Sequence, residues 1–262
     1  MTSPTAAEVK ACCASAYASP AAHYLLGESF HPGGAELTSE LARSLRLAPG
    51  AVVADVGSGP GTSAVQLARE TGCRVVGIEL APASVAEAKQ RATAAGVAAR
   101  VEFLEGDAEA LPLSDASVDG VLCECALCTF PDKRVAAREL ARILRPGGRF
   151  ALSDMTAAQE RLPEGLRSLS AWVACIGGAE RLHALVHLLE EAGLAVEHAK
   201  QRDGLLADLL ERIEARLRAA RMLALLPGLD GQIGRGLQLA GAAQAALARG
   251  ELGYAVILGH RP

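Results

Sequence analysis

Short apolar runs alternate with longer amphipathic stretches through the middle of the chain. The apolar runs predict strands, which we place at residues 51–56, 75–79, 101–105, 118–123 and 149–153. The stretches between them predict helices, which we place at residues 62–71, 83–95 and 132–144. Because strands and helices follow one another in turn, the pattern indicates an α/β protein with a mostly parallel sheet and helices on both faces.

The two ends of the chain depart from this alternation. Before the first strand, helices are predicted at 6–17 and 35–46, with a turn at 32–34 between them. After residue 154, the pattern predicts a helix over 180–192, a strand over 194–200, a long amphipathic helix over 205–226 and a strand at the sheet edge over 254–260. The segment 172–178 is a candidate wall of the functional site.

A glycine-rich loop follows the first predicted strand, with the sequence Asp55-Val56-Gly57-Ser58-Gly59-Pro60-Gly61. Glycines permit tight turns and let a ligand approach the main chain, and the helix that begins near Thr62 offers free backbone N–H groups. The spacing G-x-G-x-G differs from the dinucleotide fingerprint G-x-G-x-x-G. Asp55 would repel a pyrophosphate but would favour a cationic amino-acid group. The loop therefore favours a positively charged nucleoside over a dinucleotide.

Two further acidic residues end the next two strands. Glu79 closes the second strand, where an acid commonly accepts hydrogen bonds from ribose hydroxyls. Asp107 follows the third strand and is placed to meet the exocyclic amine of adenine. Ligands of open α/β sheets bind outside the carboxyl ends of the strands, so we expect both acids beside the glycine loop.

The loop, Glu79, Asp107 and a helix stop at residues 145–148 occur in this order on the expected elements. The combination resembles the class I S-adenosylmethionine-dependent methyltransferases over residues 51–154. The resemblance implies a doubly wound, Rossmann-like α/β fold, with a seven-stranded, mostly parallel sheet whose last strand is antiparallel. It implies S-adenosyl-L-methionine as the cofactor and the following cofactor-binding residues: Asp55, Gly57, Ser58, Gly59, Gly61, Glu79, Leu80, Asp107, Ala108, Cys123 and Glu124.

The resemblance also assigns a part of the cofactor to each group of residues. Residues 55–59 would line the methionine portion, and Leu80 and Ala108 would flank adenine. Cys123 and Glu124 would lie beside the sulfonium. We accordingly divide one domain into three parts: a helical N-terminal cap over 1–50, a cofactor-binding core over 51–154, and an acceptor-side segment over 155–262 that completes the sheet.

Two residues of the N-terminal segment are further candidates. His31 is either a base or cofactor contact or a turn histidine without a catalytic task, and the second interpretation is favoured. Tyr17 is a candidate contact of the cofactor's carboxylate.

Seven cysteines are present, and three of them, Cys123, Cys125 and Cys128, follow one another at the end of the fourth strand. Strand alternation predicts Cys123 and Cys125 on one side of the sheet, with Cys128 on the following turn. Soft thiolates select soft acceptors and metals, although most free cysteines pack as small hydrophobes. The pattern Cys-x-Cys-x-x-Cys lacks the partner pair of a zinc site, and we predict no metal cofactor.

The stretches 125–148 and 171–179 resemble arsenite methyltransferases, in which a Trp-x-x-Cys-x-Gly-Gly segment carries a metalloid-binding thiol. This resemblance implies that Cys175 binds a metalloid. The sequence lacks that family's cysteine near residues 62–63, and no cysteine follows Cys175. A site of three thiolates would therefore recruit from Cys12, Cys13, Cys125 and Cys128. We take Cys125, Cys128 and Cys175 as the catalytic candidates.

Composition narrows the classes of partner. The 262 residues carry a formal net charge of −4 and no dense Lys/Arg tract. This charge pattern does not favour the binding of nucleic acid. No apolar run approaches the ~18–20 residues that cross a bilayer, and Glu8 and Lys10 interrupt any signal peptide. We therefore expect a soluble, cytoplasmic protein with reduced thiols and no membrane partner. The sequence makes no prediction of the oligomeric state.

Three functions remain open, each with a small molecule or metalloid as its partner. The first is methyl transfer to a small soft acceptor, such as trivalent arsenic, whose lone pair needs no deprotonation. The second is methyl transfer to an organic oxygen, nitrogen or carbon acceptor, with His31 or Glu124 as a base and the thiols as packing. The third is a non-catalytic, thiol-based metalloid binder that keeps the fold as a scaffold.

Overall fold

A computed structural model describes residues 5–168, 171, 174–223 and 230–262. The strands of this part of the chain are β1 (Val52–Val56), β2 (Arg74–Glu79), β3 (Val101–Glu105), β4 (Val118–Glu124), β5 (Leu144–Ala157), β6 (Ala195–Gln201) and β7 (Leu252–His260). They form one seven-stranded sheet in the order β3-β2-β1-β4-β5-β7-β6. The first five strands are parallel, and β7 runs antiparallel between β5 and β6.

The helices of the same residues are α1 (Ala6–Tyr17), α2 (Pro20–Leu26), α3 (Gly34–Ser44), α4 (Thr62–Thr71), α5 (Pro82–Ala94), α6 (Lys133–Ile143), α7 (Leu182–Glu191), α8 (Asp203–Met222) and α9 (Asp230–Ala248). Local chemistry fixes several helix starts. Thr5 and Glu8 form a capping box at α1, and the Asp132 side chain accepts a hydrogen bond from the Val135 N–H at α6.

Two apolar cores form, one on each face of the sheet. The first contains Leu67 and Phe103 with parts of α3, α4, α5, α8 and α9. The second contains Leu140 and Ile257 with parts of α6 and α7. An α/β sheet must bury both faces in this way, so the doubly wound, seven-stranded fold predicted from the alternation is confirmed.

The order of the strands creates the opening in which a ligand can bind. The chain runs from β1 outward to β3 and then returns to place β4 on the other side of β1. The connections after β1 and β4 therefore leave in opposite directions, which opens a crevice at the carboxyl ends of these strands. The glycine loop follows β1 and the cysteine-rich segment follows β4, so both lie at this crevice.

The prediction that the C-terminal strand lies at the sheet edge is wrong. β7 is nearly fully buried and pairs on both sides, while β6, with mostly exposed residues, forms the edge. The strand predicted over 149–153 is longer than expected, because β5 extends from Leu144 to Ala157. A register irregularity in its pairing with β4 accommodates Pro146 and Gly147.

Other predictions differ in extent. Helix α2 was not predicted, and neither was α9. The helix predicted over 205–226 corresponds to α8, but residues 224–226 lie outside the described part of the chain. The helix over 6–17 and the strand over 101–105 are confirmed.

Gly61 is a packing position. It caps the N-terminus of α4 with a φ of +78°, and a Cβ added there would lie 2.6 Å from Phe103 Cζ and 2.8 Å from Ala88 Cβ. Gly72 at the end of α4 has a similar φ of +71°, but its added Cβ would approach only Arg100 Nη1, at 3.9 Å. A side chain at either position would strain the backbone, but only one at Gly61 would also overlap neighbouring atoms. Comparing the two positions therefore separates the two effects.

We predict that Gly72→Ala lowers the free energy of unfolding by about 1–2 kcal/mol, the cost of a left-handed non-glycine residue. Gly61→Ala should cost roughly 1–3 kcal/mol more, because overpacking adds to the same backbone strain. Urea unfolding without cofactor measures both values. Equal losses in the two variants would contradict this packing role.

Candidate active site

The glycine loop holds an unusual backbone path after β1. Gly57 and Gly59 have φ values of +75° and +52°, which side chains rarely adopt. The N–H groups of Gly57 and Ser58 donate to the carbonyl of Ile78 at 2.8 and 3.1 Å, which ties the loop to the end of β2. A Cβ on Gly57 would lie 2.5 Å from Ala126 Cβ, whereas one on Gly59 would meet nothing within 4 Å. The backbone at Gly59 thus faces open space in which a ligand can lie.

Acidic side chains surround this space, which forms part of a cleft of about 120 Å³. The Glu79 carboxylate accepts hydrogen bonds from the N–H groups of Gly59 (2.9 Å) and Ala81 (2.8 Å), so the loop orients it. Asp107 also lines the cleft, and its Oδ2 lies 2.7 Å from Lys10 Nζ on α1. Lys10 therefore joins the N-terminal helix to the core at the edge of the cleft.

Asp55 lies below the loop in a recess next to the cleft. Its side chain is buried, and within the described part of the chain its Oδ2 and Ser58 Oγ have no hydrogen-bond partner. Burial raises the pKa of Asp55 well above its ordinary value, and the carboxylates of Glu124 and Glu79 raise this pKa further. A buried acceptor without a donor is costly, so this recess is suited to a ligand that brings N–H groups and positive charge.

Glu124 ends β4 within a buried polar network. The Thr38 hydroxyl lies 3.1 and 3.2 Å from the two Glu124 oxygens, and His31 Nε2 lies 3.6 Å from Glu124 Oε1. His31 Nδ1 lies 3.0 Å from the Pro32 carbonyl oxygen. The network connects α3 and the preceding turn to the end of β4, and it places Glu124 in the wall of the cleft.

Three thiols meet immediately beyond Glu124. The Sγ atoms of Cys125, Cys128 and Cys175 all lie within 4.8 Å of one another. Cys128 and Cys175 are buried, and Cys125 is partly exposed. Cys128 belongs to a 3₁₀ turn at Leu127–Thr129, and its N–H donates to Asp154 Oδ2 at 2.9 Å. We call these three residues the thiol cluster.

The thiol cluster favours the thiolate form of one of its members, Cys175. Hydrogen bonds from Cys125 and Cys128, assisted by the Tyr17 hydroxyl 2.8 Å away, hold the pKa of Cys175 well below its ordinary value. Burial, followed by hydrogen bonds with Cys125 and Cys175, raises the pKa of Cys128 well above the usual range. Cys175 is therefore the member of the cluster that loses its proton most readily, and a thiolate beside two further sulfur atoms is suited to a soft electrophile.

The thiol cluster stands between the cleft and a second, larger cavity. Cys125, Tyr17 and Phe30 line both spaces, and Cys175 lines the second, which measures about 330 Å³. A group bound to these sulfur atoms would therefore face the cleft on one side and an apolar space on the other.

The chain is similar to known methyltransferases. A family model described as a methyltransferase domain matches residues 54–152. An arsenite methyltransferase of Halobacterium salinarum is 34% identical over 156 residues, which are 58% of this chain but 40% of that protein. The O-methyltransferase resE of Aspergillus sclerotiorum is 31% identical over 228 residues, which are 86% of this chain and 81% of that protein. The chain belongs to the S-adenosylmethionine-dependent methyltransferases.

Solved structures agree with this membership at the level of the fold. The cyclase SpnF superposes with a TM-score of 0.80 at 20% identity, covering 100% of this chain and 98% of that chain. Phosphoethanolamine N-methyltransferase 2 of Haemonchus contortus, solved with S-adenosyl-L-methionine, gives a TM-score of 0.78 at 18% identity and covers 92% and 56% of the respective chains. Within the described residues, no helix is long and apolar enough to span a membrane.

The cofactor of this methyltransferase is S-adenosyl-L-methionine, and the residues present suit it. The open backbone at Gly59 and the unpartnered oxygens of Asp55 and Ser58 provide space and acceptors for a cationic amino acid. Because the family is enzymatic, its members support an enzyme and not a non-catalytic metalloid binder.

The methyltransferase structure brings most of the predicted site residues together. The cleft and the adjoining recess are lined by nine of them: Asp55, Gly57, Ser58, Gly59, Glu79, Leu80, Asp107, Ala108 and Glu124. Gly61 lines neither space and packs against Phe103, so its role as a cofactor contact stays a prediction. Trp172, in the predicted wall, lies outside the described residues.

The place of Cys123 beside the sulfonium stays a prediction, whereas the prediction that it shares a side of the sheet with Cys125 is wrong. Cys123 is 1% exposed, lines neither space and packs in the second core, whereas Cys125 and Cys128 pack against the first. Cys125 has a φ of +52°, which interrupts strand alternation and turns its side chain away from the side on which Cys123 packs. The two residues therefore do not share a side of the sheet.

Sequence reasoning missed Lys10 and Thr38 and gave Tyr17 a different partner. The contacts of Lys10 and Thr38 span 97 and 86 positions of sequence, and no local pattern signals them. Tyr17 lines the cleft as expected, but its hydroxyl lies against Cys175.

We predict that cofactor binding releases protons, because positive charge favours the carboxylate of Asp55, whose pKa is raised in the free protein. Calorimetry in two buffers of different ionisation enthalpy measures their number. Asp55→Asn should bind about tenfold or more weakly and release no such proton. An unchanged proton count in Asp55→Asn would contradict the prediction.

Proposed function

We propose that this methyltransferase transfers its methyl group to a small soft acceptor, trivalent arsenic, bound by Cys125, Cys128 and Cys175. The observation that supports the proposal is the grouping of three Sγ atoms within 4.8 Å beside the cofactor cleft. Trivalent arsenic forms three bonds in a pyramid and prefers thiolate ligands, so one atom can bond to all three sulfur atoms. The similarity to an arsenite methyltransferase supports the same acceptor.

The capture of arsenite follows from the protonation of the thiol cluster. The Cys175 thiolate attacks first and displaces one arsenic hydroxyl as hydroxide. The thiols of Cys125 and Cys128 then each form a sulfur–arsenic bond, and each proton leaves with a hydroxyl group as water. Tyr17 holds Cys175 by its hydroxyl, 2.8 Å from the sulfur, until arsenic arrives.

The cofactor contacts in this proposal are the nine predicted residues that line the cleft and recess. Asp55 and Glu124 offset the positive charge of the methionine portion, Glu79 binds the ribose, and Asp107 binds the adenine amine. Residues 1–50 cap the cofactor, 51–154 bind it, and 155–262 supply the acceptor side. Lys10 assists the cap through its contact with Asp107.

Methyl transfer then requires positioning and little proton chemistry. S-adenosylmethionine, when bound, supplies an electrophilic methyl group on a sulfonium. The three sulfur ligands orient the arsenic lone pair, and the surrounding residues exclude water, so no base has to remove a proton from the acceptor. The carboxylates of Asp55 and Glu124 lie on the cofactor side, where they stabilise positive charge.

We predict that wild-type protein methylates arsenite in the presence of glutathione. Cys125→Ser, Cys128→Ser and Cys175→Ser should each lower kcat/KM for arsenite by about 100-fold or more (~2.7 kcal/mol), because serine is a poor ligand for arsenic. Cys12→Ser is the matched control, since Cys12 lies on α1 outside the thiol cluster. Product analysis by chromatography with arsenic detection measures these rates.

Cofactor affinity, measured in parallel by calorimetry, should change less than about twofold in all four variants. The absence of methylated arsenic from wild-type protein would refute the proposed function. Unchanged arsenite kinetics in Cys175→Ser would also refute it.

A second candidate function is methyl transfer to an organic acceptor, with the thiols as packing. The cavity of about 330 Å³ favours it, as does the similarity to the O-methyltransferase resE. Glu124 would then serve as the base, since it lines the cleft and His31 lies behind it. A Cys125/Cys128/Cys175 triple serine variant separates the two functions, because it should retain full activity on an organic acceptor and lose activity on arsenite.

A further inference from the structure

The three sulfur atoms of the thiol cluster lie around the turn at Cys125. The Sγ atoms of Cys128 and Cys175 lie 3.7 and 3.6 Å from the Cys125 carbonyl oxygen, and the Cys125 Sγ completes a group within 4.8 Å. Among the described residues, no carboxylate or imidazole belongs to this group. The cluster therefore offers soft ligands only.

Hydrogen bonds to β5 hold the backbone of two of these residues. The Cys125 N–H donates to the Ser153 carbonyl at 2.6 Å. The Cys128 N–H donates to Asp154 Oδ2 at 2.9 Å, and the Met155 N–H donates to Asp154 Oδ1 at 2.7 Å. Both oxygens of this buried carboxylate thus fix the backbone, and such contacts orient the ligands of metal sites without being ligands themselves.

We propose that the thiol cluster also binds a thiophilic divalent cation, Zn²⁺, through Cys125, Cys128 and Cys175, and that bound zinc excludes the acceptor. The exclusion rests on the proposed function, in which arsenic occupies the same three sulfur atoms, whereas the binding of zinc does not. Zinc sites with four protein ligands are closed, but a site with three keeps a fourth position for an exchangeable ligand. Zinc is thus an exchangeable inhibitor here, and the prediction of no metal cofactor is unaffected.

The spacing of the sulfur atoms agrees with zinc. Zinc–sulfur bonds of about 2.3 Å in a tetrahedron place two sulfur atoms roughly 3.8 Å apart. Because the three Sγ atoms already lie within 4.8 Å of one another, each pair has to approach by at most about 1 Å. Small rotations about the Cα–Cβ bonds supply this movement at a modest cost. The Tyr17 hydroxyl, 2.8 Å from Cys175 Sγ, can donate to the same sulfur when zinc is bound.

The fourth position of the zinc opens to space beside the cluster. Cys125 lines both the cleft and the second cavity, and Cys175 lines the second cavity, so a water molecule can complete the tetrahedron. Three sulfur–zinc bonds form, and the protons of the thiols leave to solvent. Zn²⁺ with three thiolates carries one net negative charge, as does a cluster with one thiolate. The positively charged cofactor should therefore bind with similar affinity in the presence of zinc.

Titration of the full-length protein with Co²⁺ tests the site. Co²⁺ bound to thiolates absorbs strongly in the near ultraviolet and, in a tetrahedron, in the visible range. One equivalent should bind with this spectrum. Zn²⁺ should abolish the absorption and Mg²⁺ should not, because Mg²⁺ prefers oxygen ligands. A phosphine reductant keeps the cysteines reduced without adding a competing thiol.

Serine variants identify the ligands. Cys128→Ser and Cys175→Ser should each weaken zinc binding by about 100-fold or more, because a hydroxyl is a poor ligand for zinc. Cys12→Ser is the matched control, since Cys12 lies on α1 outside the cluster, and it should change the affinity by less than about twofold. Competition with a chromophoric chelator measures the affinities, and calorimetric binding of S-adenosylhomocysteine shows that each variant is folded.

Steady-state kinetics test the exclusion of the acceptor. With free zinc held by a chelator at its dissociation constant, the apparent KM for arsenite should rise about twofold, and kcat should not change. The KM for S-adenosylmethionine should also stay unchanged, because the cofactor does not use the three sulfur atoms.

The outcomes separate this inference from the proposed function. If the wild-type protein gives no sulfur-to-cobalt absorption, or if Cys128→Ser or Cys175→Ser binds zinc as tightly as wild type, the metal site is refuted while arsenite methylation stands. Inhibition that S-adenosylmethionine relieves and arsenite does not would refute the exclusion of the acceptor. If the wild-type protein methylates no arsenite, the proposed function fails, while the cobalt spectrum and the zinc affinities still decide whether the cluster binds the metal.

Discussion

The left-handed backbone at Cys125 is the constraint on which the arrangement of the site depends. β4 ends at Glu124, whose side chain faces the cofactor cleft, and the next residue has a φ of +52°. This single step directs Cys125 toward Cys128 and Cys175. Cys175 adopts a similar conformation, with a φ of +62°. Left-handed non-glycine residues cost about 1–2 kcal/mol each and concentrate at functional sites, where the surrounding structure holds them in place.

Groups that carry or favour negative charge lie on both sides of the turn at Cys125. They favour the binding of cations and soft electrophiles. Asp55, Glu79 and Glu124 line the cleft and its recess, and Cys175, whose pKa is lowered, lines the second cavity. A positively charged methionine portion relieves the repulsion among the carboxylates. In the proposed function, an electrophilic arsenic atom would do the same for the thiol cluster. The two substrates thus stabilise neighbouring halves of one anionic site, and α1 connects them through Lys10 and Tyr17.

The sequence predicted features whose signals are local or strictly periodic. The alternation of strands and helices gave the fold, and the glycine loop with its acids gave the cleft, because each follows a strand at the same edge. The sequence did not predict which distant strands pair with one another. β7 lies inside the sheet, and no pattern in its own residues indicates its two neighbouring strands. Strand alternation also failed at Cys123 and Cys125, since periodicity assumes an extended backbone that Cys125 does not adopt. The sequence named Cys125, Cys128 and Cys175 as candidates, but only the fold shows that their sulfur atoms lie within 4.8 Å of one another.

X-ray absorption at the arsenic edge tests the central claim most directly. The protein would be loaded with one equivalent of arsenite and with S-adenosylhomocysteine, which prevents turnover. The account predicts three sulfur neighbours and no oxygen neighbour around arsenic, with one sulfur replaced by oxygen in Cys128→Ser. A wild-type spectrum with two or three oxygen neighbours would contradict the claim that the thiol cluster binds the acceptor.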